Sequence, residues 1–292
     1  MAAASAPASV ARVAALRTGL RDLGYVEGKN LTIDFRWAEG KHGRLPELAA
    51  ELVRLKVDVI VAQGTPGASA AKQATATIPI VVPIVADPVS TGLVASLARP
   101  GGNVTGLTWF SHEVSAKRLE LLRDALPRTR RVAVLINPDN PSNAPILRAM
   151  ELAAGPLKLE IPQFGARGPG ELEGVFAAMV AKRVDALTII DDAMLIGNAR
   201  AIATLAVRNR LPLIAFTEVV EAGGLMGYGA SFPGMFQHAA TYVDKILRGA
   251  RPGDLPVERA TKFELMINLK TARTLGLTIP PAFLQRADQL IE

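Results

Sequence analysis

The sequence predicts an α/β protein made of two doubly wound parallel-sheet lobes, and three observations lead to that class. A helix-turn-strand unit occurs twice; apolar runs and amphipathic stripes alternate along the chain; and the composition, 49% hydrophobic with 21% charged, is that of a globular protein. At 292 residues the chain accommodates two domains of ordinary size, each with its own core.

The repeat is read first in residues 45–65. Leu45, Leu48, Ala49, Leu52 and Val53 form the apolar stripe of an amphipathic helix, and Lys56-Val57-Asp58 leads into the buried-strand run Val59-Ile60-Val61-Ala62. Shifted by 127 positions, the stripe returns as Leu172, Val175, Phe176, Met179 and Val180, followed by Arg183-Val184-Asp185 and the run from Ala186 to Ile190. Upstream, the alternating residues 31–35 match residues 157–161. Downstream, residues 78–82 match 211–215 and residues 101–106 match 223–228. Small changes of offset are what insertions in surface loops produce.

In chain order, a helix is expected over residues 9–23, with Val13, Leu16, Leu20 and Leu23 along one side and Gly24 as its stop. In the second copy a strand over residues 131–137 precedes the helix that ends near Gly155. Aligning Gly155 with Gly24 puts the first copy's equivalent strand at or before residue 6, where Met1-Ala2-Ala3-Ala4-Ser5-Ala6 is poor strand material. In a doubly wound sheet that strand is interior, so without it the hydrogen-bond ladder is open. The expectation is that the first strand of lobe 1 is missing, and that the natural protein begins upstream with a signal peptide and this strand.

Candidate ligand contacts follow from the rule that open parallel sheets bind ligands at the carboxyl ends of their strands, where helix amino termini present unpaired N–H groups. The run ending at Ala62 is followed by Gln63-Gly64-Thr65-Pro66, with Thr65 in the position of a helix cap. Residues 80–85 end at Asp87, with a helix expected over residues 89–97. The strand of residues 104–108 runs into Trp109 and Phe110, and a helix over residues 114–126 leads to the second lobe. There the first strand ends in the polar loop Asn137-Pro138-Asp139-Asn140-Pro141-Ser142-Asn143, Asp191-Asp192 ends the repeated strand, and Thr217-Glu218 ends the next. Asn groups donate and accept, which suits a polar small molecule. Gln63, Thr65, Asp87, Phe110, Asn137, Asn140, Asp191, Glu218 and Tyr228 are the expected ligand-binding residues, converging on one cleft.

A helix over residues 232–247 buries Met235, Phe236, Ala239, Tyr242, Val243 and Ile246, and residues 255–258 and 263–268 read as strands. This surplus after the second lobe returns to complete the first. The first lobe is therefore expected as residues 1–108 with 235–266, the second as 109–234 with 267–292. Three crossings make a hinge, and a hinge serves cleft closure.

Other classes find little material. The absence of Cys excludes thiol catalysis, thiolate metal sites and disulfides. The 3 His are far apart without ligand spacing, no cofactor motif occurs, and the carboxylates of Asp191 and Asp192 point in opposite directions from a strand end. Catalytic, metal and cofactor sites are accordingly expected to be none. The net charge of +6 is spread over helix faces and aromatics make up 5%, so nucleic acid is not the expected partner.

Residues 25–30, 93–106, Asn137-Pro138 and residues 261–272 resemble the bacterial ABC-transporter substrate-binding proteins of the tryptophan/tyrosine-type uptake family. The similarity runs from about Leu16 to Glu292, and residues 99–106 with 262–272 carry most of it. The resemblance implies the type I periplasmic-binding-protein fold, and a monomer that closes on a small polar or aromatic ligand, an amino acid or aromatic acid, and delivers it to an ABC permease in the inner membrane. It implies a periplasmic location; the amino terminus as written has no signal peptide, which would leave the chain cytoplasmic if that start is genuine. A two-lobed enzyme acting in the same cleft and a ligand-sensing regulatory domain are the alternatives.

Overall fold

A computed structural model describes residues 1–2, 5–6 and 9–292. The chain forms two compact units, Met1–Phe110 with Ser231–Ala260 and Ser111–Ala230 with Thr261–Glu292, so it passes between units three times.

The first unit begins with α1 (Val10–Asp22), which buries Leu16 and Leu20 and ends before Gly24 in the left-handed region, φ 93°. Next, α2 (Leu45–Arg54) buries the stripe Leu45, Leu48, Ala49 and Leu52. There follow β1 (Ile60–Val61), α3 (Gly64–Ala74), β2 (Ile80–Val85) and β3 (Val104–Thr108).

The second unit takes α4 (Ser111–Ala125), β4 (Val132–Ile136), α5 (Asn143–Leu157), β5 (Gln163–Gly165), α6 (Leu172–Ala181), β6 (Ala186–Ile189), α7 (Ala193–Gly197), α8 (Ala199–Arg208), β7 (Leu213–Ala215), α9 (Glu218–Glu221) and β8 (Met226–Ala230). The chain returns to the first unit for α10 (Phe232–Leu247) and β9 (Glu258–Arg259). It closes in the second with β10 (Phe263–Asn268), α11 (Leu269–Leu275), α12 (Pro281–Leu284) and β11 (Gln289–Ile291). No helix among the described residues is long and apolar enough to cross a membrane.

The first unit's sheet has the order β1-β2-β3-β9, all parallel. Every residue of β2 is buried, as a strand covered on both faces requires. Pro83 has no N–H to donate, and the β2–β3 register shifts between Val82 and Val85. The second sheet has the order β11-β10-β8-β7-β6-β4-β5, parallel except where β10 runs against β8.

Two glycines set the packing of the first unit. Gly106 in β3 has φ 137°, and a Cβ there would lie 2.1 Å from the Val82 carbonyl oxygen. Gly19 lets α1 reach α10, since a Cβ there would lie 2.4 Å from the carbonyl oxygen of Gln237. Gly106→Ala must displace backbone as well as adopt a strained φ, so a loss of about 2–3 kcal/mol is expected, read from the urea midpoint of the first unit.

Several sequence expectations are corrected. Residues 31–35 form no ladder; they alternate half-buried and exposed as a strand would, but their flanking contacts are the isolated bridges of Leu31 to Glu27 and of Trp37 to Ala2. A strand needs a neighbour; β1 has one in β2 and is shorter than the apolar run of residues 59–62. The first part of the strand expected over residues 157–161 gives way to the end of α5, whose cap Lys158 is left-handed; parallel pairing begins at Glu160, bridged to Arg131, and continues into β5. Residues 89–97 are turns, not helix: the Asp87 carboxylate accepts from the N–H groups of Val89 and Ser90, and the Pro88 carbonyl from those of Leu93 and Val94. The expected strand over residues 255–258 forms later, as β9. β10 joins the second unit rather than the first because Phe263 to Ile267 pair with β8, which moves the last crossing to Ala260 from the expected residue 266.

The amino terminus lies in a short parallel ladder. The Met1 ammonium donates to Val61 O at 2.7 Å and Met1 O accepts from Gln63 N, while Ala2 N donates to Arg36 O and Ala2 O accepts from Ala38 N. Residues 3 and 4 of the expected strand position lie outside the described residues. Burial, with the Arg36 guanidinium nearby, lowers the Met1 amine from 8.0 to about 5. Between these values the unfolded chain binds more protons than the folded one, so stability is fully present above about pH 8 and falls as pH drops toward 5. Met1 is only half-buried and solvent screens the charge, so the expected loss is on the order of 2 kcal/mol. Urea midpoints at the two pH values measure it, and acetylation of the amine should remove the slope.

Candidate functional site

The expected ligand residues fall at the carboxyl edges of the two sheets, except Tyr228, which lies in the middle of β8. In the first unit, Gln63, Asp87 and Phe110 follow the neighbouring strands β1, β2 and β3. Gln63, not Thr65, is the residue before α3, which moves Thr65 to the second helical position. The side chains of Gln63 and Thr65 are 4% and 3% exposed, yet Gln63 Nε2 and Thr65 Oγ1 have no hydrogen-bond partner within the protein. Two buried polar atoms beside the N–H groups of a helix start make a place where a ligand oxygen is favoured. Asp87 is committed to its own turn. Phe110 has φ 51° and lies under the Arg259 guanidinium, 3.5 Å from its ring centroid, while Trp109 packs edge-on against Phe232 at 5.5 Å.

In the second unit, Asn137, Asp191 and Glu218 follow the neighbouring strands β4, β6 and β7. The polar loop after β4 is held by one buried carboxylate. Asp192 Oδ1 accepts from Asn137 Nδ2 at 3.1 Å and from Met194 N at 2.9 Å, and Oδ2 accepts from Asn140 Nδ2 at 3.0 Å. The amide oxygens of both Asn residues take backbone N–H groups, of Asp139 and Ser142, and Asn143 Nδ2 donates to the Asn137 carbonyl. Ser142 Oγ and Asn143 Oδ1 remain buried without a protein partner.

Asp191, expected to face a ligand, is engaged elsewhere. Its carboxylate receives both terminal nitrogens of Arg118, at 2.7 and 3.0 Å, with side chains 2% and 0% exposed. Arg118 Nε also donates to the carbonyl of Tyr228, fastening α4 to β8. The Tyr228 ring stacks on Phe263, centroids 6.1 Å apart. Glu218 opens α9 and accepts from the Thr217 hydroxyl at 3.3 Å. The structure thus gathers Gln63 with Thr65, and Asn137 with Asn140, and adds Asp192, Ser142 and Asn143. Asp192 was legible as an Asp preceding an apolar helical stretch, the cap position it fills. Arg118, read from the sequence as one of the charges on a solvated helix face, is instead fully buried; the signal that places it inside is its position in the stripe of Val114, Leu121, Leu122 and Ala125. Among the described residues no group of three or more His, Cys, Asp or Glu could hold a metal ion.

Comparison with known proteins agrees with this architecture. The chain is 31% identical over 260 residues to a tyrosine-binding protein of Clostridioides difficile (strain R20291), covering 88% of this chain and 74% of that protein. A conserved domain protein from Vibrio cholerae has a crystal structure with TM-score 0.92 and 32% identity, covering 99% of this chain and 97% of that one. An ABC domain from Streptococcus pneumoniae, solved in complex with L-Trp, has TM-score 0.90 and 26% identity, with 99% and 98% covered. The family model described as ABC transporter substrate binding protein matches residues 1–291. A two-unit α/β chain with three crossings, polar residues gathered at the strand ends and a family match along its whole length is accounted for in one way: the chain belongs to the ABC transporter substrate-binding protein family and has its type I fold.

Proposed function

We propose that the chain binds an aromatic amino acid, of the tryptophan and tyrosine class, and hands it unchanged to an ABC permease. The observation that carries the reading is the pair of buried, unpartnered polar atoms at the start of α3, Gln63 Nε2 and Thr65 Oγ1. A helix amino terminus with such neighbours favours a carboxylate, the group every amino acid brings. Asn137, Asn140, Ser142 and Asn143 supply further donors and acceptors, Phe110 and Tyr228 supply aromatic faces, and Glu218 supplies a carboxylate for the ligand amine. Two relatives point the same way, one described as tyrosine-binding and one solved with L-Trp. In this reading the protein is a monomer, has no nucleic-acid partner, acts outside the cytoplasm as its family does, and catalyses nothing.

Thermal unfolding in the presence of L-Trp, L-Tyr, L-Phe, benzoate and a sugar control tests this. A ligand at 100 times its dissociation constant adds about 2.7 kcal/mol, which raises the midpoint by several degrees. The expected result is a shift with an aromatic amino acid and its recovery chemically intact. A shift with the sugar alone, or conversion of the bound compound, would reject the reading.

A further inference from the structure

Two neighbouring helices of the second unit, α4 and α5, begin with buried polar side chains. α4 ends ahead of β4 and α5 begins after it, so both run against that strand, pack side by side and start at the carboxyl edge of the sheet. On α4, Ser111, Ser115 and Arg118 fall at i, i+4 and i+7 on one face, each 1% exposed or less. Arg118 reaches from the Tyr228 carbonyl on β8 to Asp191 beyond β6, which lays this face across β7. Helical side chains lean toward the amino terminus, so the two serine hydroxyls lie beyond the guanidinium, at the edge of the sheet.

The hydroxyls of Ser111 and Ser115 have no hydrogen-bond partner among the described residues. A serine inside a helix ordinarily bonds back to the carbonyl one turn earlier. Ser115 does not, so its hydroxyl is turned away from its own helix. At the start of α5, Ser142 holds the cap position without making a capping bond, and Ser142 Oγ and Asn143 Oδ1 are likewise buried and unpartnered among the described residues. Asn143 is held in place, because its Nδ2 donates to the Asn137 carbonyl at 2.7 Å. Four such atoms at two adjoining helix starts form an incomplete network, each with a desolvation cost that a ligand group relieves.

Their chemistry selects that group. Asn143 Oδ1 can only accept, so its partner is a donor, and a carboxylate there would set oxygen against oxygen. Two helix amino termini disfavour a cation, so the donor is not an ammonium. A neutral hydroxyl meets both conditions, donating to Asn143 Oδ1 and accepting from a serine O–H. We propose that the starts of α4 and α5 read the ring hydroxyl of a phenolic ligand, with Ser111, Ser115, Ser142 and Asn143 as specificity-determining residues. The inference rests on the aromatic amino-acid reading above and narrows it to a preference for tyrosine. An indole N–H donates but cannot accept from the serines, and a phenyl ring does neither, which leaves the buried polar atoms unpaired.

The test is calorimetric titration of the full chain and of the double variant Ser111→Ala with Ser115→Ala, using L-Tyr, L-Phe, L-Trp and O-methyl-L-tyrosine. The parent is expected to bind L-Tyr about 50-fold or more tighter than L-Phe, and O-methyl-L-tyrosine, which cannot donate, no better than L-Phe. In the double variant the Tyr-to-Phe ratio is expected to fall below about 10, with the loss falling on L-Tyr. The thermal midpoint of the unliganded double variant should hold or rise, since each substitution deletes a buried, unpaired oxygen. Serines with a structural role would instead lower that midpoint and weaken L-Tyr and L-Phe alike, which overturns the proposal. Equal affinity of the parent for L-Tyr and L-Phe, tighter binding of L-Trp than of L-Tyr, or a ratio unmoved by the substitutions also overturns it and leaves the aromatic amino-acid reading standing. Binding of none of the three amino acids overturns both.

Discussion

Asp191→Ala is expected to destabilise the second unit by about 3–5 kcal/mol while leaving ligand affinity within a few-fold of the parent. The substitution strands the Arg118 guanidinium, which is fully buried and bonded through both terminal nitrogens to that carboxylate. An uncompensated buried charge accounts for most of such a loss, whereas the pair itself, having given up its hydration, contributes far less than its geometry suggests. The double variant Arg118→Met with Asp191→Leu is therefore expected to recover more than half of the loss. Recovery stays incomplete because the carbonyl of Tyr228 loses the Arg118 Nε donor. Urea unfolding of the single and double variants measures both quantities, and calorimetric titration with the ligand found in the thermal screen measures affinity. A single variant that folds normally but no longer binds would return Asp191 to the ligand-contact role that its place at a strand end suggests.

The contrast between Asp191 and its neighbour shows what the sequence could and could not carry. Periodicity gave the helices: the stripe of α10, Met235, Phe236, Ala239, Tyr242, Val243 and Ile246, is buried as read, and α2 buries Leu45, Leu48, Ala49 and Leu52. The repeat gave the parallel sheets and the strand ends where the polar residues gather. Adjacent residues leaving a strand point opposite ways, so the two aspartates were legible as having separate roles. Which one faces the polar loop was not legible, because the deciding partner, Arg118, is 73 positions away in sequence. Partnership also explains the strand errors. Residues 31–35 have the right alternation but no neighbouring strand among the described residues, and β10 has the right composition but takes its unit from β8. Residues 89–97 have helical apolar spacing, yet the Asp87 carboxylate and the Pro88 carbonyl capture the N–H groups that a helix would need.

Asp192→Ala is expected to weaken ligand binding by about 100-fold with the fold retained, the larger effect on function of the two neighbouring substitutions. Asp192 is 3% exposed and joins Asn137, Asn140 and the start of α7 through three N–H donors. Its removal leaves the two side-chain amides and the Met194 N–H without that acceptor, at about 1–3 kcal/mol each if they stay in place. The loop can instead relax, turning Asn137 and Asn140 toward solvent or toward each other, and relaxation loses the fixed positions on which a polar ligand depends. Binding is then lost through geometry rather than through a missing contact. Asn137→Ala and Asn140→Ala should each cost less than Asp192→Ala, because each removes one arm and leaves the carboxylate to hold the other. Calorimetric titration of the three variants, with circular dichroism to verify folding, reads the order. If Asp192→Ala binds as tightly as the parent, the loop after β4 does not contact the ligand, and the polar atoms at the start of α3 must supply recognition by themselves.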